Sequence, residues 1–313
     1  MDDVAAAASG EEPLDAGIET KLALFGYRDA MTYVLQVVSE GPVSYSSQLL
    51  KSLHFMMTRH DLNVRPGLWR AGPIYVHHEE ADKIVYEGPS VALVEPLIEE
   101  LVDGLNQAGD SHPMVRAAMA HLNLVMIHPF RDGNGRMARC LQTLILASEG
   151  LLAPQFCSIE EYLGRNTHSY YDVLGEVGRG TWQPHSETRP WVRFVLTAHL
   201  RQAHTLMRRI QESEILWEEL ERLVRRKSLP ERMIPAMYDA AQGLRIRNAI
   251  YRQLSDLSEQ TASRDLRALV ANGLLRPNGE RRGRFYTAEA ELTEIWQSIR
   301  GRRNPRDDRD PFR

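Results

Sequence analysis

One stretch, Ser111 to Gly150, constrains this chain more than any other. Met114, Ala118, Leu122 and Val125 recur at helical steps, with Ser111 placed to cap their helix. That helix must stop near His128, because Pro129 disfavours an α conformation in the residue before it. Then come Phe130, Arg131, Asp132, Gly133, Asn134 and Gly135, where two glycines and an Asn permit left-handed angles and close approach of another molecule. A second helix follows through Met137, Cys140, Leu141, Leu144 and Ile145, and Gly150 ends it.

The pattern is helix, tight loop, helix, with the loop feeding a helix N-terminus. Exposed backbone N–H groups and the positive end of the dipole make such a place an anion site. Arg136 and Arg139 add two cations on the first turn, so phosphates are the expected guest. Asp132 beside them is placed to hold Mg²⁺, which takes one or two carboxylates plus phosphate oxygens. His128 is the candidate general base, since imidazole titrates near neutrality. Phe130 is expected to turn inward and pin the loop.

His, Phe, Asp, Gly, Asn, Gly, Arg and Arg thus occupy fixed places between His128 and Arg139, a coincidence on the order of 10⁻¹⁰ at uniform residue frequencies, which sets it apart from an ordinary short motif. HPFRDGNGRMAR resembles the signature of the Fic (fido-domain) family, with no departure at any of these places. Flanking text agrees: PGLWR at 66–70 precedes a hairpin-like segment, and Asn166 with Tyr170-Tyr171 follows. The resemblance implies a mostly helical fold and transfer of AMP from ATP to a hydroxyl of Ser, Thr or Tyr, on a target protein or on the chain itself. By that resemblance His128 takes the hydroxyl proton, and Asp132 holds Mg²⁺. Gly133, Asn134 and Gly135 cradle the phosphates, and Arg136 and Arg139 neutralise the outer ones. The segment with Ile74, Tyr75 and Val76 resembles the family's flap, where a target segment pairs as an extra strand; with Asn166, Tyr170 and Tyr171 it makes the expected target or nucleotide pocket. Gly135, retained where a kinase-like variant has Lys, disfavours the reversed nucleotide orientation. Many relatives carry an inhibitory Ser/Thr-x-x-x-Glu-Gly/Asn motif. Here Glu40, Glu87 and Glu149 precede Gly or Asn, but Gln36, Lys83 and Ile145 stand where Ser or Thr is required. Control is therefore expected from a separate inhibitor, or is lost, or lies upstream of the start.

The rest of the chain fits around this centre. Its 313 residues are about twice a ~150-residue domain, and 43% hydrophobic with 26% charged residues suits buried cores. No run reaches the ~18 apolar residues of a membrane helix, the acidic start lacks a leader pattern, and two cysteines make no disulfide framework, so a cytoplasmic protein without membrane contact is expected. The His77-His78 pair reads as a hairpin tip rather than a metal site. The net charge of −4 hides an asymmetry: from Arg201 onward 23 Lys and Arg outnumber 17 Asp and Glu, leaving the front half acidic.

The fold expected is mainly α: a Fic-type helical core with a β-hairpin flap, plus a small α/β winged-helix domain. A loose lead-in covers 1–20, the catalytic domain 21–204, a helical connector 205–230, the winged domain 231–290 and a partly disordered tail 291–313. Periodicity predicts one long helix from Pro190 to about Lys227, or two if Gln211–Ser213 interrupts it. In the C-terminal part Ser258 caps a helix with Ala262, Leu266, Leu269 and Val270 facing a core. Its other face carries Gln260, Ser263, Arg264 and Arg267, and an Asn-Gly hairpin bears Arg281 and Arg282 at its tip. This arrangement resembles a winged helix-turn-helix, which implies DNA contacts by those residues. The alternative is a module for homodimer formation or target capture. Two further readings stay open: a DNA-binding regulator whose Fic domain binds nucleotide but barely turns over, and transfer of another nucleotide or removal of AMP.

Overall fold

The computed structural model describes residues 18–78, 83–107, 109–151, 159–280, 283–303 and 310–312. The described residues divide into two compact units, one built from residues through His204 together with 310–312 and the other from residues 205–303.

The first unit opens with helices α1 (Ile18–Ser39) and α2 (Ser47–Thr58). The Ser46 hydroxyl caps α2 by accepting from the Leu49 amide at 3.1 Å, and Leu50, Leu53, His54 and Met57 form its buried stripe. A 3₁₀ turn (Leu62–Val64) leads to strands β1 (Tyr75–His78) and β2 (Lys83–Glu87), then α3 (Val91–Asn106), α4 (Pro113–Ile127) and α5 (Asn134–Ser148). The expected Ser111 cap gives way to His112, whose Nδ1 accepts from the Met114 amide at 3.2 Å. Pro113 explains the shift: lacking an N–H and fixed in φ, it favours the first helical position and puts the cap immediately before it.

Helix α5 is buried nearly all round, from Asn134 to Ala147, because its apolar residues cover every face. It is the centre of the unit. Around it pack α1 (Ala30, Val34), α2 (Leu50, Leu53, Met57), α3 (Ile98) and the inner face of α4 (Ala117, Ala120, Leu124, Ile127). The outer face of α4 (Ala118, Leu122, Met126) joins a second cluster with α6 (Glu160–Arg165), α7 (Thr167–Gly178) and the start of α8 (Arg189–Arg226). The hairpin is antiparallel, pairing Val76 with Tyr86 and His77 with Ile84 across a register shift. Tyr86 anchors it by donating its hydroxyl proton to Met126 O at 2.7 Å. Among the described residues the other edge of β1 has no strand partner.

Helix α8 runs unbroken through Gln211–Ser213, where an interruption was one expectation. Glu212 sits buried on its inner face, bound by both Nε and Nη2 of Arg303 at 2.5 and 2.6 Å, so the charge is neutralised without ending the helix. Nor is 205–230 a bare connector: Leu216, Leu220, Leu223 and Val224 lie in the second unit's core. That core also takes α9 (Ile234–Ala241), α10 (Asn248–Ser255), α11 (Glu259–Ala271), strands β3 (Leu275–Asn278) and β4 (Phe285–Ala288), and α12 (Ala290–Gly301). Helix α12 corrects the reading of 291–313 as a tail, because Leu292 and Ile299 are core residues; 304–309 lies outside the described residues. Ser258 caps α11 as expected, accepting from the Thr261 amide at 3.2 Å. Strand β3 pairs antiparallel with β4, and Ile246 exchanges two bonds of 2.8 and 2.9 Å with Tyr286. Buried Asp265 of α11 accepts two bonds from Arg232 at 2.8 and 2.9 Å and one from the Tyr251 hydroxyl at 3.1 Å, fixing α11 against α10.

Candidate active site

The loop between α4 and α5 is held by its own side chains and by α2. Asn134, 2% exposed, accepts from the Phe130 amide and donates to the Phe130 carbonyl, both at 2.9 Å. Phe130 is fully buried, as its inward turn requires. Its ring stacks on His54 with centroids 3.7 Å apart and meets Trp69 at 4.9 Å. His54 Nδ1 accepts from the Gly67 amide at 2.9 Å, so its proton is on Nε2, which donates to Asp132 O at 3.0 Å. Gly133 has φ 77° and precedes α5. A side chain there meets Thr58 and His54 at 3.3 and 3.4 Å in addition to that left-handed strain.

The first ladder bond of α5 runs from Met137 N to Gly133 O, so the amides of Asn134, Gly135 and Arg136 precede the ladder and form the helix's positive end. The two arginines flank that end but turn to different partners. Arg136 Nη2 lies 3.1 Å from Asp132, while Arg139 Nε lies 3.8 Å from Glu160 and its Nη1 lies over Gly135. Burial pushes the Glu160 carboxyl up to about 7, and the Tyr27 hydroxyl donates to it.

His128 closes α4 in the left-handed region, φ 51° and ψ 57°, with its amide on Leu124 O at 3.0 Å. Its Nδ1 lies 2.9 Å from Val125 O, an acceptor only, so Nδ1 carries the proton and Nε2 keeps a lone pair. Burial foremost lowers the His128 pKa; the Val125 carbonyl and Asp132 oppose this and Arg70 adds to it. A base that is neutral at pH 7 with one nitrogen committed and the other available is what proton abstraction needs.

Asp132 is well exposed and borders a cavity of 290 Å³ that Thr58, His60, Asp61 and Arg136 also line. Among the described residues no three His, Cys, Asp or Glu converge as a metal cage. A single exposed carboxylate beside an anion site does fit Mg²⁺, whose other ligands are phosphate oxygens and water.

The remaining predicted residues divide. Ile74 and Val76 are half-buried and Tyr75 is exposed on the hairpin. Asn166 donates to Tyr162 O at 2.7 Å between α6 and α7. Tyr170 is a core residue, 3.1 Å from His121 Nε2, whereas Tyr171 is exposed. In the second unit Gln260, Arg264 and Arg267 are exposed on α11, and the half-buried Ser263 accepts from Asn248 at 3.0 Å. Arg281 and Arg282, the His78 side chain and Cys157 lie outside the described residues, and Cys140 is a buried free thiol. Two residues escaped the sequence reading. His54 is a polar residue on the apolar stripe of α2, a signal that was available, and Arg70 closes the PGLWR segment.

Residues 44–146, the segment that carries this loop, match the Fic/DOC family. A protein from Nematostella vectensis named protein adenylyltransferase Fic is 27% identical over 198 residues, 57% of this chain and 40% of that one. Its namesake from Aedes aegypti is 30% identical over 174 residues, 55% of this chain and 31% of its own length. The chain thus spans less than half the length of these curated relatives. In fold it is similar to a Fic family protein from Desulfovibrio desulfuricans, with a TM-score of 0.51 at 20% identity over 92% of this chain and 80% of that one. A fragment of Fic-1 from C. elegans gives 0.50 at 26% identity over 66% of this chain and 56% of its own. Among the described residues no helix is long and apolar enough to cross a membrane.

Proposed function

We propose, from a Fic/DOC domain with an intact loop, that this chain transfers AMP from ATP to the hydroxyl of a Ser, Thr or Tyr side chain, on a target protein or on itself. The observation that carries the reading is His128: its Nδ1–H is committed to Val125 O, leaving Nε2 as an acceptor on the residue that opens the loop leading into α5. The hydroxyl oxygen attacks the α-phosphorus and its proton passes to His128 Nε2. The bond from that phosphorus to the bridging oxygen breaks, and pyrophosphate leaves. The amides of Asn134 and Gly135, with Arg136 and Arg139, hold the phosphates and stabilise the charge that develops on them. Mg²⁺, when bound by Asp132 and phosphate oxygens, neutralises charge on the nucleotide. The edge of β1 that has no strand partner among the described residues supports docking of the target as an added strand, which brings its hydroxyl to the loop.

Incubation with α-³²P-ATP and Mg²⁺, with and without host lysate, tests this directly. We expect label on the chain or on a lysate band, reduced at least about 10²-fold in His128→Ala while ATP still binds. Transfer retained in that variant removes His128 as the base. No label in either protein, with ATP bound, points to another nucleotide or to the regulator reading.

Residues 231–290 support a second role. Two helices, Ile246 paired beside a β3–β4 hairpin, and the exposed Gln260, Arg264 and Arg267 are the parts of a winged helix-turn-helix. We read α11 as its recognition helix and duplex DNA as its partner.

A further inference from the structure

Arg70 is 5% exposed, and main-chain carbonyls hold its guanidinium. Nε donates to His128 O at 2.8 Å, Nη1 to Gly72 O at 2.9 Å and Nη2 to Pro89 O. Its own amide donates to Pro129 O at 2.8 Å. Gly72 stands just before the hairpin and Pro89 just after it, so one side chain joins both feet of the hairpin to the carbonyl of the base. Gly88 makes the close fit possible: a Cβ there lies 2.6 Å from Ile74, 3.4 Å from Arg70 and 3.7 Å from His128. Burying a guanidinium on neutral carbonyls is costly, and its rigid fork of donors is what holds three carbonyls at once. The carbonyl it grips belongs to a residue at φ 51°, a left-handed conformation that is unfavourable for a residue with a Cβ and must be imposed from outside.

We propose that Arg70 is a positioning residue, which fixes the left-handed His128 so that Nδ1 meets Val125 O and Nε2 faces the loop, and which ties that orientation to the seat of the hairpin. The kinetic part rests on the AMP-transfer reading; the ordering of the imidazole does not. Arg70 touches no reacting atom. Its action is on His128, and displacement of the hairpin's feet by a docked segment is transmitted to the same carbonyl.

Arg70→Gln and Arg70→Lys in the full chain test this, with thermal unfolding as the check on folding. In protein carrying ¹⁵N-histidine, the His128 signal is the one missing from His128→Ala. We expect a single Nδ1–H tautomer in the wild type and averaging of the two nitrogens in Arg70→Gln. In the transfer assay kcat falls about 10²-fold, the scale of a misplaced reacting group, with the KM for ATP unchanged. Lys keeps the charge without the fork, so it restores neither the tautomer nor the rate in full. A folded Arg70→Gln with an ordered tautomer and wild-type kcat overturns the proposal. If that variant does not fold, Arg70→Lys decides, and full rate with an ordered imidazole overturns it there. If the wild type transfers no AMP, the functional reading fails, while averaging on substitution still upholds the clamp and an unchanged tautomer still overturns it.

Discussion

His54 and His121 of the first unit are buried and His199 is half-buried, and loss of water around the three rings, with the partners they meet, keeps them neutral. His54 is bounded by the Gly67 amide and the Asp132 carbonyl. His121 Nδ1–H donates to Gln142 Oε1 at 2.6 Å and its Nε2 accepts from the Tyr170 hydroxyl; Gln142 in turn donates to His199 Nε2 at 2.9 Å. Burial, the largest cause in each case, pushes His54 and His199 down to about 4 and His121 to about 3. In the unfolded chain each titrates near 6.5, so the unfolded state binds more protons below that value. Their contribution to stability is therefore full above pH 6.5, falls as pH drops below it, and is gone once pH passes through about 4 for His54 and His199 and about 3 for His121. Urea unfolding followed from pH 7.5 to 4.5 should show the midpoint falling, with His121→Gln flattening the slope by close to one proton. A midpoint independent of pH contradicts this account. At this scale the sequence was legible where the structure is local: the inward turn of Phe130 and the loop that feeds α5 are readable from spacing. The partners of His54 and Arg70 were not: His54 shows only as a polar residue on an apolar stripe, and the carbonyls that the two side chains meet lie 78 and 58 residues away along the chain.

At the scale of elements, periodicity located α4, α5, α8 and α11, and two departures have physical causes. The polar Gln211–Ser213 stretch does not interrupt α8, because Arg303 closes on Glu212 from the far end of the unit. The start of the supposed tail is helix α12, whose Leu292 and Ile299 fall seven residues apart, too sparse a signal against its charged neighbours. Helix α11 was legible in full: apolar stripe, Ser258 cap and polar outer face. Its anchoring by Asp265, which reads in the sequence as one more charge, was not. Because Asp265 faces inward, the outward groups are Gln260, Arg264 and Arg267, and the DNA reading makes a definite demand of them. Arg264→Ala or Arg267→Ala should weaken duplex binding and, where the lost contact is to phosphate, reduce the slope of log K against log salt by about 1. Fluorescence anisotropy across a salt series measures both. Failure of the full chain to bind duplex even at low salt leaves α11 to a protein partner.

On the scale of the molecule, length and charge asymmetry pointed to two parts, and the structure has two compact units. The boundary was the less legible feature. A connector of 205–230 was expected because a polar break within a long periodic segment looks like a joint, yet leucines on the inner side of the same segment belong to the second core. Helix α8 serves Trp191, Val195 and Ala198 to one core and Leu216, Leu220 and Leu223 to the other without leaving helical geometry between them. For a protease this matters more than for a ligand. Cleavage needs an extended strand of chain in the enzyme's cleft, and loop tips supply it where helices do not. Although Arg201, Arg208 and Arg209 offer trypsin three sites around the boundary, brief digestion should spare all three and cut first in exposed loops. Fragments ending at those arginines, read by mass spectrometry at early times, are the result this continuity forbids. At the junction of residues 204 and 205, separating the two units by proteolysis is then expected to wait until the helix that spans it opens.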